Sequence, residues 1–521
     1  MADPRLYPRR SRCTGGFAAL LLTATLSAQS RAPANDTILR DELKAELYFL
    51  ASDAMRGRLT GTPEYALAAK YIETRFQKLG LKPAGRAQSF VQPFFLTKTR
   101  LGEENRLEIS HGENLTMEAK VREDFYPNSY SGSGRARGEM IFAGYGIVAP
   151  SLGWDDYRGA SVKGRIVVLL NGEPGANDPK SPFDGLVTSE HSALWRKILW
   201  AQERGAAGII LAGGAPGRPG APAGAFANTA RAAWPERPPR IPRFLLSAWV
   251  DRIRIPVAHV SPAIARTILG QEMADAAKAA QKAGGIAAQP LAGATADLRT
   301  SVYRDPVDDR NVVAVIEGSD AKLKEEAVLI TAHYDHDGAD GDRILNGADD
   351  DGSGTVALMA IAEAYAKAAA GGPRPRRSVI FAAWASEERG LLGAWAWTES
   401  PLWPLDKTVA VLNMDMIGRN EEVPEGGDNR FNGLPIQTAA SNANAVNILG
   451  FSFSREMAAA VKAANAEIDL QLRMRYDNNR SQLLRRSDQW PFLQRGVPAL
   501  FFHTGLHPDY HTVNDRPERI E

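Results

Sequence analysis

Cysteine is nearly absent from this 521-residue chain, which contains one, Cys13. That residue precedes an apolar run near the N-terminus, the wrong side for a lipoprotein cysteine, and removal of an export signal would leave none. Disulfides are therefore excluded as staples of the mature chain, and any metal has to be held by His, Asp and Glu. Charge of one sign is missing too. Lys+Arg 62 against Asp+Glu 61 leaves a formal net charge of +1, neither the basic field of a nucleic-acid binder nor the acidic excess of a solvated tail. No apolar stretch beyond the N-terminal region is long enough to cross a bilayer, which excludes a stable membrane span. What remains is ordinary for a globular protein: 44% hydrophobic and 24% charged residues, compatible with an enzyme or a binding module. The length implies two domains, or one domain carrying an insertion.

Arg5, Arg9, Arg10 and Arg12 precede the apolar run from Gly16 to Ala28, and Gln29-Ser30-Arg31 follows it. This is the layout of an export signal over residues 1–30, too short for a stable anchor. Leu26 occupies the place where a small residue is preferred before Ala28, and Arg9-Arg10 loosely suggests a twin-arginine signal. The expectation is an exported protein, periplasmic or secreted.

Periodicity gives helices at Asp36 to Leu50 and from about Glu64 to Leu79, then short strands between Ser89 and Ala119. Near Gly134 the character changes. Two β-rich runs (Glu139 to Pro150, Val162 to Leu170), a helix at Ser192 to Arg204 and a buried strand at Ala207 to Leu211 precede a Gly/Ala/Pro-rich loop at 213–242. A strand at Ile255 to Val260, a helix at Pro262 to Leu269 and an Ala-rich peripheral helix at Ala274 to Gly284 lead to a return linker at Gly293 to Thr300. Thereafter strands (Asn311 to Glu317, Ala327 to Ala332, Ser378 to Trp384, Thr408 to Asp415, Pro498 to His503) alternate with helices (Thr355 to Ala370, Gly390 to Thr398, Phe453 to Ala464, Gln489 to Gln494). Such alternation implies an α/β fold with a mixed, mostly parallel sheet sandwiched by helices, its functional residues gathered at the carboxyl ends of strands. There is no internal repeat.

Potential metal ligands sit at those ends. His333-Tyr334-Asp335 closes one strand, and in an extended segment its His and Asp share a side, so the carboxylate can join the site or orient the imidazole. Asp349-Asp350-Asp351 lies in a Gly-flanked loop opening a helix, Glu387-Glu388 in a strand-to-helix turn, and Asp415 in an otherwise apolar strand. Near the C-terminus stand His503, His507 and His511. The chain has 8 histidines, and five of them (His333, His336, His503, His507, His511) fall in these segments. Each feature alone has a plainer reading. The Asp cluster reads as a helix cap, the Glu pair as first-turn charge, and a single His as a hydrogen-bonded residue. Asp415 is harder to dismiss, because a carboxylate in an apolar strand is costly to bury without a partner. All five together, each at an element boundary, point to metal.

The segments His333-Tyr334-Asp335, Gly347-Ala348-Asp349-Asp350-Asp351-Gly352-Ser353-Gly354, Glu387 to Gly393, Asn413 to Gly418 and Asp509-Tyr510-His511-Thr512 resemble, in order and spacing, the co-catalytic zinc aminopeptidases. That family also contains glutamate carboxypeptidase II and bacterial leucyl aminopeptidases. The resemblance covers most of the mature chain, including Arg56 to Gly61. It implies one metal held by His333 and Asp415, a second by Glu388 and His511, and Asp350 bridging them. It further implies a cis Asp350-Asp351 peptide, Asp335 orienting His333, Glu387 as catalytic base, and Tyr510 assisting the oxyanion. One departure is Gln489, where many relatives have His. Residues 134–267 resemble a protease-associated (PA) domain, inserted between an N-terminal part of the peptidase domain (31–133), a linker with a peripheral helix (268–300) and the catalytic segment (301–521).

The chemistry suits such residues. Two divalent cations lower the pKa of water from 15.7 towards about 7 and polarise a carbonyl. Adjacent Glu387 and Glu388 point in different directions, so one can bind metal while the other moves a proton. The set favours two Zn2+, with Mn2+ or Co2+ able to substitute. The expected activity is removal of N-terminal residues from peptides. Carboxypeptidase, dipeptidase or other amidohydrolase activity is the same-fold alternative, an inactive PA-domain binding protein the different-class one, and a one-metal glutaminyl cyclase a weaker reading. Neither the substrate end nor the oligomeric state is encoded in these patterns.

Overall fold

The computed structural model describes residues 33–112, 114–159, 161–212 and 224–521. The segment expected to direct export, with Cys13, lies outside the described residues, as do positions 213–223 of the Gly/Ala/Pro-rich loop. Two compact units make up the chain. One comprises the described residues up to Phe94 with Asp309–Asp477 and Leu483–Glu521, and the other comprises Phe95–Asp308 with Asn478–Gln482.

In the first unit the sheet runs in the order Val302–Ile316 (by its C-terminal part), Ser378–Trp384, Ala327–His333, Thr408–Met414, Ala499–His503, Ala445–Leu449 and Gln471–Met474. The four strands from Ser378–Trp384 to Ala499–His503 are parallel, flanked by antiparallel pairings with 312–316 and 445–449. A parallel centre is buried on both faces, and Ser378–Trp384 is buried along its whole length. Successive side chains of a strand point to opposite faces. Phe381 accordingly packs towards Phe76 and Tyr365, with ring centroids 6.4 and 5.7 Å away. Trp384 meets Trp397 and Phe492, at 5.5 and 5.8 Å. The first pair of partners lies on helices Pro63–Lys78 and Gly354–Gly371, the second on Leu392–Glu399 and Gln489–Gln494. The first helix starts at Thr62, whose hydroxyl accepts from the Tyr65 amide, with Pro63 at the first helical position. This is the helix-covered mixed α/β sheet expected from the alternation. Ala445–Leu449 and Gln471–Met474 are strands that the sequence pattern does not predict.

The second unit holds an eight-stranded sheet in the order Asn114–Ala119, Arg106–His111, Gln289–Thr300, Gly134–Phe142, Ile166–Leu170, Gly208–Ala212, Val257–Val260, Phe125–Pro127. Its span, 95 to 308, is wider than the insertion expected at 134–267. Residues 289–300 form a strand between Arg106–His111 and Gly134–Phe142, where a linker was expected. Ala294, Ala296, Leu298 and Thr300 are its buried face. The period of two is there, but small side chains mute the contrast on which pattern reading depends.

Because Phe381 is fully buried between two helices, Phe381→Ala is expected to cost about 3–5 kcal/mol of stability in that unit. Denaturant unfolding followed by tryptophan fluorescence measures it, and a loss under ~1 kcal/mol would contradict the packing described.

Candidate metal centre

Strand ends gather the site. His333 is the last residue of Ala327–His333, Asp415 follows Thr408–Met414, and Glu387 and Glu388 occupy the turn after Ser378–Trp384. Asp350 lies in the turn opening helix Gly354–Gly371, and His511 comes eight residues after Ala499–His503. Ser386 and His511 take left-handed backbone angles (φ 53° and 55°), uncommon away from glycine. The peptide between Asp350 and Asp351 is cis.

The five residues that the sequence singles out as ligands come together. His333 Nε2 is 3.3 Å from Asp350 Oδ1 and 3.7 Å from Asp415 Oδ2. His511 Nε2 is 2.9 Å from Asp350 Oδ2 and 3.4 Å from Glu388 Oε1. Asp350 is thus shared by both groups, one oxygen to each. Glu387 Oε2 lies 3.8 Å from His333 Nε2, so it faces the same space. Asp335 stands with Oδ1 3.6 Å from His333 Nδ1, and it also accepts the amides of Glu387 (2.8 Å) and Glu388 (3.3 Å). One carboxylate therefore fixes the Glu pair through its amides and stands beside the imidazole. The ring of Tyr510 packs on His511 with centroids 4.1 Å apart.

Neighbouring acids divide the work. Asp349 accepts from the Gly418 amide at 2.7 Å and meets His507 Nε2 at 3.2 Å. Asp351 accepts from the amides of His333, Gly354 and Met416. These two serve the backbone, as a capping acid does, and of the three only Asp350 is paired with His333 and His511. Its loop is held from behind by Asp515, which accepts the amides of Asp349 and Asp350. Buried Arg58 donates to the carbonyls of Leu50, Tyr334, Asn346 and Gly347. Gln489 is likewise structural, accepting from Asn413 and donating to the Leu484 carbonyl.

The donor set fits divalent cations. Both ring nitrogens of His333 and of His336, and Glu388 Oε1, are buried and without hydrogen-bond partners. Two groups are close enough to share one ion each: His333, Asp350 and Asp415, and His336, Asp350, Glu388 and His511. Buried carboxylates without compensating positive charge are costly, and His, Asp and Glu are the ligands zinc accepts where cysteine is absent.

Residues 311–521 match the model of peptidase family M28. Over 208 residues the chain is 34% identical to a probable zinc metalloprotease of Leptosphaeria maculans, covering 37% of this chain and 46% of the relative. Over 460 residues it is 25% identical to a probable glutamate carboxypeptidase of Zea mays, covering 79% of this chain and 58% of the relative. The chain thus spans about half the length of these relatives. Among solved structures, the aminopeptidase from Aneurinibacillus sp. strain AM-1 aligns over 94% of this chain and 90% of its own, at 19% identity and a TM-score of 0.43.

Three residues of the M28 segment were not chosen from sequence. His336 joins the second group. Asp337 Oδ2 is 3.1 Å from His511 Nδ1 and its other oxygen pairs with Arg389, so it stands to His511 as Asp335 stands to His333. Asp488 is fully buried, both carboxyl oxygens lack hydrogen-bond partners, and burial pushes its pKa well up against the pull of His333. The His333-Tyr334-Asp335-His336-Asp337 run held the signal for the first two. Alternation places His333, Asp335 and Asp337 on one side and His336 on the other, and the chain leaves extended geometry after His333.

Considered as protein groups alone, burial opposes charge on His333, but Glu387 together with Asp335, Asp350 and Asp415 holds its imidazolium well above the usual range. His511 is raised well above its ordinary value in the same way, burial being overcome by Glu388 and the partners Asp337 and Asp350. Burial pushes Glu387 well up, with Glu388 and Asp415 adding to it and His333 opposing. Raised histidine pKa values mean rings that carry protons at pH 7, and a cation has to displace them. Zinc uptake at pH 7 is therefore expected to release protons, with affinity falling as pH is lowered. Calorimetry in buffers of different ionisation enthalpy measures this, and a binding heat independent of buffer would refute it.

Proposed function

We propose that this protein is an exported zinc-dependent exopeptidase, an aminopeptidase acting on peptides through a two-cation site. The observation that carries this reading is Asp350, whose two oxygens face two separate histidine groups. His333 and Asp415 would hold one ion, Glu388 and His511 the other, with Asp350 shared. When bound, such ions polarise a substrate carbonyl and make water a competent nucleophile near neutral pH.

The chain's own groups supply the rest. Glu387, fixed through its amide by Asp335, takes the proton from the attacking water and returns it to the leaving amine. Its burial among like charges, which raises its affinity for a proton, suits a group that must hold one between those steps. Asp335 and Asp337 orient His333 and His511 through their Nδ1 atoms, the usual arrangement behind a metal-binding imidazole. Tyr510 is assigned as hydrogen-bond donor to the developing oxyanion. Burial raises its pKa, which keeps the phenol protonated.

Export rests on the basic and apolar N-terminal segment. Among the described residues no helix is long and apolar enough to cross a membrane. The sheet-bearing unit Phe95–Asp308 is read as the PA domain with its flanking strands, a module we assign to limiting substrate size. The same-fold alternative, a carboxypeptidase, keeps its place because relatives named as probable glutamate carboxypeptidases match the chain.

Glu387→Gln is expected to keep its metal and lose turnover by at least ~100-fold, the lower range for a proton-transfer group, whereas Glu388→Ala loses metal. Elemental analysis beside turnover separates the two, and metal loss in a folded Glu387→Gln would refute these roles. Aminoacyl chromogenic amides, N-blocked peptides and C-terminal substrates, each with and without chelator, test which end is cut. Chelator-sensitive hydrolysis of the N-blocked C-terminal substrates alone would replace the aminopeptidase reading with the carboxypeptidase one.

A further inference from the structure

We propose that His336 is a fourth protein ligand to the ion held by Asp350, Glu388 and His511, making that position the tighter of the two. This rests on the two-cation reading above.

His336 is wholly buried. Its Nδ1 is 2.7 Å from Glu388 Oε1 and 3.9 Å from Asp350 Oδ2, while His511 Nε2 is 2.9 and 3.4 Å from Asp350 and Glu388. All four separations are below about 4.2 Å, twice a zinc–nitrogen bond of ~2.1 Å, the greatest distance between two ligand atoms on one ion. Glu388 Oε1 thus lies within 3.4 Å of a ring nitrogen of both histidines.

The ring is also held in place. The His336 amide donates to the Arg58 carbonyl at 3.3 Å. A Cβ on Gly347, whose φ is +57°, would come within 2.5 Å of the imidazole Cγ. The Asp350 carbonyl oxygen would be closer still, at 2.3 Å, so only glycine leaves room for the ring and the loop together. The rings of His336 and His511 meet edge to face at 79°, centroids 5.3 Å apart. As two imidazolium ions they would repel, and as neutral donors to one cation they cooperate.

The consequence is an asymmetry. Four protein ligands close a zinc position, whereas the His333, Asp350 and Asp415 group supplies three and leaves one place for water or substrate. The four-ligand position would hold its ion more tightly, and the three-ligand one would exchange its ion more readily.

The full-length zinc-loaded protein is dialysed against graded chelator and its zinc measured by elemental analysis. Wild type is expected to lose zinc in two separated steps. His336→Gln is expected to lose both ions over one chelator range, with the tighter affinity reduced by more than the ~10–100-fold that loss of an outer partner costs. Asp337→Asn, which removes such an outer partner, falls within that range and keeps two steps, and His336→Asp restores them. Zinc K-edge absorption of the wild type, counting three imidazoles rather than two across the bound ions, tests the proposal even where the glutamine variant fails to fold. Wild-type affinities in His336→Gln, or two imidazoles by absorption, overturn it. A wild type binding a single ion that His336→Gln weakens beyond ~100-fold refutes the two-cation reading and leaves His336 a ligand; a wild type binding none refutes both.

Discussion

A carboxylate taken out of water needs positive charge beside it, and this constraint organises the whole catalytic unit. Asp335, Asp350, Glu387, Asp415 and Asp488 are buried together at one edge of a sheet, with His333 and His511 as near neighbours and the buried Arg58 within electrostatic reach of Asp335 and Asp350. A bound cation would offset such a concentration of charge. Every support noted above (Asp335 on the Glu387 and Glu388 amides, Asp515 on the Asp349 and Asp350 amides, Arg58 on four carbonyls) keeps like charges from separating.

The supports are layered. Strands end at the site, loops carry the acids, and polar groups behind the loops fix backbone amides and carbonyls. Asp349 and Asp351 illustrate the division. Flanking the shared acid on both sides, they spend their oxygens on amides and on His507. His503, which places Nδ1 3.0 Å from the Asp415 carbonyl, steadies the strand end that presents Asp415. Of the three C-terminal histidines only His511, the one expected as a ligand, is paired with the shared acid.

The parallel strand–helix alternation was readable because large β-branched and aromatic residues fill both faces of Ser378–Trp384 and its neighbours. The strand Gln289–Thr300 was not, since alanine and glycine carry little contrast between faces. Ala445–Leu449 and Gln471–Met474 are short, and Gln471–Met474 has no fully buried residue, so their patterns do not stand out from loops.

Order and spacing of acids and histidines along the chain determined the family, the helix-covered α/β architecture and the five residues that converge around Asp350, because those residues sit where hydrophobic strands stop and such ends share one edge of a parallel sheet. Tertiary structure alone decided that Asp337 backs His511 and that His336 turns towards Glu388. Those outcomes depend on how the chain runs on after leaving its strand, where the Arg58 carbonyl, far away in sequence, accepts the His336 amide and Gly347 lies against the His336 ring.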